Sequence, residues 1–227
     1  MVLAFFKGSG GEGNFDHIVA KSITMLADAR HSFDLATLAL LTETDPNAVA
    51  EDIRATDQRI NEAEQELRSE LVVHVSVQGN ADIGSVLGFT LLLKKIERVG
   101  DQAKNILDLA VNGVTLANSP EIADLLEGRQ AASALFADAG ELLGSAQRDD
   151  EALEAYGVRV SAMMAELQGH IDGFMTSERP AREVVPLAIY YRYLRRIVAN
   201  LLGIVRTSAE PLQHIDYLEG GTVDTED

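Results

Sequence analysis

The chain contains no cysteine and no tryptophan. The first absence excludes disulfides, thiolate metal sites and cysteine nucleophiles, and it leaves the compartment undecided on redox grounds. Aromatic residues make up only 5% of the sequence, so the apolar bulk comes from Leu, Ala, Val and Ile. That supply suits helix packed on helix better than a β-sandwich, whose strands want Thr, Tyr and Phe. Proline is scarce as well, with five in 227 residues, most of them where helices are expected to end. No apolar run approaches the ~20 residues of a membrane-spanning helix. The opening MVLAFFK has an apolar stretch too short for a secretory signal and no basic segment before it. These absences predict a soluble, cytoplasmic protein. Also missing are a P-loop, a dinucleotide-binding fingerprint and a serine nucleophile motif. The Gly-rich segment 8–13 lacks the Lys and Ser/Thr of a phosphate loop.

Basic residues are in deficit: 19 Lys and Arg stand against 36 Asp and Glu, a formal net charge of −17. Such a surface repels nucleic-acid phosphate and anionic lipid at long range, so neither is expected as a partner. It suits cations or a basic protein surface, and much of the excess serves solubility.

What is present is helical periodicity. Apolar residues recur at helix spacing over 15–41, about 47–77 and about 82–111, then over 120–146, 150–176 and 181–209. The punctuation agrees. Asp45-Pro46 and Ser119-Pro120 read as a cap residue followed by proline, Gly79-Asn80 as a tight turn, and Asn112-Gly113 as a helix stop. Six helices in two sets of three suggest an internal repeat, and the halves overlay at a spacing of about 98 to 100 residues. The expected fold is all-α, with two tandem three-helix bundles at 15–114 and 119–212. A flexible segment 1–14 should precede them and an acidic tail 213–227 should follow.

One segment carries chemistry, Lys94–Ile106 (KKIERVGDQAKNI). Glu97 and Asp101 lie four apart and share a helix face, which Asn105 extends. Like charges at that spacing are unfavourable, and Gly100 between them costs about 1 kcal/mol relative to Ala. Hard cations take oxygen ligands, and glycine permits close approach by a neighbouring helix. The preceding helix offers a matching stripe of Asp57 and Asn61, with Glu64 one turn on. Folded back through Gly79-Asn80, Asp57 and Asp101 both lie 22 residues from Gly79, and Asn61 and Glu97 both lie 18. The spacing fits a cation site and also fits a solvated amphipathic face.

The run Ile96-Glu97-Arg98-Val99-Gly100-Asp101, followed by Asn105-Ile106, resembles the signature of the PhoU family. There a Glu-Arg-Ile-Gly-Asp core precedes an Asn-Ile pair. The resemblance extends over about residues 15–215, strongly in the first half and weakly in the second. It implies paired three-helix bundles that associate as dimers. It also implies a negative regulator of phosphate uptake, working with an ABC phosphate transporter and a membrane sensor kinase. Some members bind iron, zinc or other cations through the acidic stripes. Carried over, the metal ligands would be Glu97 and Asp101, with Asp57 and Asn61, and the ion iron, zinc or manganese. The second half departs from the pattern: Arg195 and Ala199 replace the signature's Glu and Asp, and Gly157 and Ser161, or Tyr156 and Val160 in a register one residue away, fall at the partner positions, so neither register supplies a carboxylate. A metal site is expected in the first repeat only.

The histidines (His17, His31, His74, His170 and His214) show neither HxxxH nor HExxH spacing and read as helix-face or loop residues. Around Tyr190, Tyr191 and Tyr193, the arginines Arg192, Arg195 and Arg196 form the one basic, aromatic patch. They are a candidate anion or partner face, or a helix whose tyrosines pack while its arginines reach out to solvent. Val2–Phe6 is a second candidate contact, with a membrane partner, although a frayed terminus is the favoured reading. A non-enzymatic regulator is the favoured reading. A helical-bundle metalloenzyme with oxygen ligands is the alternative, weakened by the lack of any Glu-x-x-His pair of the di-iron bundles.

Overall fold

The computed structural model describes residues 15–145, 147 and 149–209. The expected lead-in 1–14 with Val2–Phe6, residue His214 and the acidic tail lie outside the described residues. Among the described residues six α-helices form: α1 Asp16–Leu41, α2 Pro46–Gln78, α3 Ile83–Val111, α4 Ile122–Gly144, α5 Asp150–Met175 and α6 Ala181–Ala209. A 3-10 turn, Gly79–Asp82, joins α2 to α3. No strand occurs among the described residues, and the fold is all-α as the sequence predicts.

Local chemistry sets the helix ends. Asp45 caps α2, its Oδ1 accepting from the Asn47 backbone N at 3.0 Å, and Pro46 takes the first helical position, where no donor is needed. Asp149 caps α5 in the same way, accepting from Ala152 N at 3.0 Å. Gly79 and Gly113 close α2 and α3 with φ of 75° and 88°, the left-handed region that favours glycine. Ser119-Pro120 does not open α4 directly. The two residues sit in a turn, and the helix begins at Ile122. Among the described residues Pro186 is the one proline in a helix interior, in the second turn of α6, where it cannot donate to the Arg182 carbonyl.

In the first half α1, α2 and α3 pack on one another; in the second, α6 packs on both α4 and α5. The halves are joined broadly as well, α1 against α4 and α3 against α6, while α4 and α5 meet only lightly. A single apolar core therefore runs through both halves, with α1, α3, α4 and α6 central and α2 and α5 outside. Phe33 of α1 stacks on Phe136 of α4 with centroids 5.5 Å apart. Beside that pair, Arg129 donates to Thr37 Oγ1 at 3.0 Å and to Asp34 Oδ1 at 3.3 Å, and Arg30 donates to Ser133 Oγ at 3.1 Å. At the other junction Gly203 of α6 lies under the Lys95 side chain of α3, close enough that a Cβ there would meet Lys95 Nζ at 2.7 Å.

The α2–α3 contact depends on Gly100. A Cβ on that residue would stand 3.3 Å from Ile60 Cδ1, and Ile60 itself is buried. Gly100→Ala gains about 1 kcal/mol of helix propensity and loses a comparable amount to crowding. We expect it to change stability by less than about 1 kcal/mol, whereas Gly100→Val, with two further methyls against Ile60, should cost about 1–3 kcal/mol. Urea unfolding of the two variants checks the ordering. A stable Gly100→Val would show that the helices can separate without penalty.

Candidate functional site

Helix α2 buries Ile53, Ile60 and Leu67 at seven-residue intervals, and α3 buries Leu92, Ile96, Val99 and Ala103. Those seams pack antiparallel, and the polar residues flanking them are drawn to one side. Asp57, Asn61, Glu97, Asp101 and Asn105 are half-buried, while Glu64 is buried outright. The structure thus brings the sequence-predicted acidic residues of both helices to one face of the α2–α3 pair.

Basic side chains that spacing did not single out hold them there. Lys104 Nζ donates to Asp57 Oδ1 and Oδ2 at 3.2 and 3.1 Å, and to Asp101 Oδ1 at 3.3 Å. Burial works against the Lys104 charge, but the bond to Asp57 and the charges of both aspartates outweigh it and raise its pKa. Asn61 Nδ2 turns along its own helix to Asp57 Oδ2 at 3.5 Å. One to two turns nearer the hairpin tip, Lys94 Nζ lies 2.6 Å from Glu97 Oε2 and Arg68 Nη2 lies 3.0 Å from Glu64 Oε1. These are ion pairs without hydrogen-bond geometry, since Glu97 Oε2 and Glu64 Oε1 are buried and have no hydrogen-bond partner. The Glu97 carboxyl is pushed above its ordinary range, first by burial and then by the charges of Asp101 and Glu64, with Lys94 opposing.

The donor chemistry of this face, carboxylates with an amide, suits a hard cation. As folded, however, no three His, Cys, Asp or Glu side chains among the described residues are grouped to bind a metal ion. The residues spacing missed are Lys94, Arg68 and Lys104. Each had a visible signal, since Lys94 lies three residues before Glu97, Arg68 four beyond Glu64 and Lys104 three beyond Asp101, each on the same face as its carboxylate.

In the second half the counterpart positions are filled differently. Arg195 is half-buried with its Nε lacking a hydrogen-bond partner, while Arg192 and Arg196 are exposed on the same face of α6. Tyr190 and Tyr191 are fully inside. Tyr191 stacks on His170 with centroids 4.6 Å apart, and burial pushes its pKa up to about 12.

A second ionic cluster, unforeseen from the sequence, ties the α1 start to the α2 end. His17 hydrogen-bonds Glu70, Lys21 Nζ lies 3.0 Å from Glu66, and His74 Nε2 lies 2.9 Å from Asp82 Oδ2. Around it a cavity of about 740 Å³ is lined by Phe15, Ile18, Val73, His74 and Val77, among others.

Residues 23–110, spanning α1 to α3, match the family model of the PhoU domain. The crystal structure of PhoU from Pseudomonas aeruginosa superposes with a TM-score of 0.70 at 18% identity, over 89% of this chain and 98% of that one. That likeness shows the fold. No curated protein sequence matches the chain.

The raised Glu97 pKa has a sign that can be tested. A carboxyl that holds its proton more tightly in the fold loses stability as pH rises from its unfolded pKa to its folded pKa, and the loss persists above. In chelator-treated protein, Glu97→Gln should therefore raise the melting temperature at about pH 7.5 and change little at about pH 3.5, where both states are protonated. A lower melting temperature at neutral pH would mean that the Lys94 pair outweighs the burial cost.

Proposed function

We propose, on the premise that residues 23–110 are a PhoU-type domain, that this chain is a non-enzymatic regulator of phosphate uptake and phosphate signalling. It would act in the cytoplasm as a homodimer, through contacts with a phosphate-transporter component or a membrane sensor kinase. The observation that carries the reading is the match itself, because it falls on the three helices that assemble the acidic face. Among the described residues no helix is long and apolar enough to cross a membrane, so membrane contact would run through a protein partner.

The surface supports a role in protein contacts. Val72, Val73 and Val77 on α2 are 66%, 61% and 74% exposed, and Ile83, Leu87 and Leu91 on α3 are also exposed. All six flank the α2–α3 turn, so exposed apolar bulk is concentrated at one tip, as at protein interaction sites. With a net charge of −17 around it, the partner that fits is an apolar patch rimmed by basic residues, here assigned to the transporter component. Arg192, Arg195 and Arg196, on α6, are a second candidate contact, for an acidic partner or the other subunit. The acidic face would load iron, zinc or manganese through Glu97 and Asp101, with Asp57 and Asn61. A metalloenzyme would need converging ligands and a substrate cleft, and no feature of the acidic face favours it.

The test is phosphate uptake in cells of the source organism lacking this gene, grown with ample phosphate. Uptake should rise on deletion and return to its former level with the wild-type gene. Val73→Glu/Val77→Glu, two exposed changes that should leave the helical circular dichroism unaltered, should fail to restore control. Uptake indifferent to the deletion would overturn the reading.

A further inference from the structure

The apolar row on α3 lies where the described span of α6 runs out. Ile83, Leu87 and Leu91 are 47%, 51% and 40% exposed. Four-residue steps carry the same row on to Lys95, which lies over Gly203 of α6. The direction of α6 along that row follows from contacts at the helix ends. Phe15, at the start of α1, stacks on Phe89 in the first half of α3, so these two helices run the same way. Arg129 in the first half of α4 donates to Thr37 near the end of α1, and Gly144 at the end of α4 lies against Ile23, so α4 runs against both. Arg179 in the α5–α6 turn pairs with Glu121 at the start of α4, so α6 runs with α4 and against α3. From Gly203, α6 therefore heads for the α2–α3 turn. Its described span closes at Ala209, about 9 Å further along and about level with Phe89. The chain beyond Ala209 thus starts out beside Leu87 and Ile83.

The sequence of that next stretch carries a matching row. Pro211 cannot continue the hydrogen bonds of α6, and after it come Leu212, Ile215 and Leu218 at steps of three, before Gly220-Gly221. On a helical segment opened by that proline the three share one face. Such a segment over 211–218 has about the length of the row from Ile83 to Leu91, roughly 12 Å. We propose that residues 211–218 pack this face against Ile83, Leu87 and Leu91 of α3. Charge agrees. From Ile83 to Ile96, α3 carries no Asp or Glu, and Lys94 and Lys95 close that stretch, so a segment bearing Glu210, Asp216 and Glu219 meets no repulsion there. Because the segment is continuous with α6, its effective concentration at the row is high and a weak contact suffices. Packed in this way it shields the α3 half of the tip and leaves Val72, Val73 and Val77 open. In the phosphate-regulator reading, on which this consequence alone rests, a partner that needs the whole tip must first displace the segment.

The chain has no tryptophan, so Leu218→Trp or, separately, Leu212→Trp places a single fluorescent reporter in the segment. In purified full-length protein, emission should be blue-shifted and acrylamide quenching several-fold weaker than in the same protein unfolded in urea, at every protein concentration. Adding Ile83→Glu/Leu87→Glu, two changes at exposed positions of α3, should return both readings to the unfolded values. Circular dichroism melts confirm that the variants are folded, and Ile83→Gln/Leu87→Gln serves if the glutamate pair is not. Indoles as accessible in the native protein as in urea, at both reporter positions, would overturn the docking. So would protection indifferent to the α3 changes. Protection that grows only with protein concentration would overturn it too, and would assign the row to a second copy of the chain. These readings involve neither transporter nor phosphate, so the docking can fail while the regulatory reading stands, and the reverse.

Discussion

The contact on which the acidic face depends is the seat of Ile60 on Gly100. Helices approach more closely where one of them lacks a side chain, and here a Cβ on Gly100 would stand 3.3 Å from Ile60 Cδ1, so the absent side chain favours the observed register. Once the register is set, Asp57 must face Lys104 and Asp101, and Glu64 must face Glu97. A slip of one residue on α2 would rotate Asp57 by about 100° and break the bridge. The glycine, costly to a helix in isolation, is offset by the packing of the seam and by the ion pairs that follow from it.

The same logic of close approach appears where the halves join, with a different outcome. Gly203 of α6 receives the Lys95 side chain of α3, so a long cationic stem fills the groove instead of an apolar one. Between α1 and α4 the junction is aromatic and ionic, with the Phe33–Phe136 stack beside the Arg129–Asp34 pair. Both junctions are as extensive as contacts within a half, so the repeat is visible in sequence but merges into one core. That arrangement makes the second half a support for α1 and α3, and through them for the acidic face. It needs to keep its helices and apolar seams but not its carboxylates. Arg195, Ala199, Gly157 and Ser161 at the counterpart positions are compatible with that role.

How much of this was legible in the sequence differs by level. Helix number and ends could be read closely, because caps such as Asp45, stops such as Gly113 and the apolar period are local signals. The α4 start was misplaced by two residues because Ser119-Pro120 makes a turn of its own before the helix begins. The antiparallel depth of Asp57 and Asp101 followed from counting residues to a turn, and the structure brings both to Lys104. The reach of Lys104 across to Asp57 was not legible, since whether a lysine points to solvent or across to the next helix depends on the rotation of both helices about their axes. Nor was the His17–Glu70 cluster, which joins residues 53 apart through a contact that no periodicity reports.

Charge compensation explains why the acidic face can persist in the fold at all. Asp57, Glu64, Glu97 and Asp101 lie on one helix pair in a chain already strongly negative, and their mutual repulsion would splay α2 from α3 if left unscreened. Lys94, Arg68 and Lys104 supply the screening, yet they do it unequally. The first two pair along their own helices and give no cross-link, so they reduce repulsion without adding cohesion between helices. Only Lys104 spans the seam. A bridge made by one flexible side chain is weak, since exposed ion pairs contribute about 0–1 kcal/mol. Cohesion of α2 with α3 therefore rests on the apolar seam and the seat of Ile60 against Gly100, and Lys104 orients the carboxylates across it more than it adds strength.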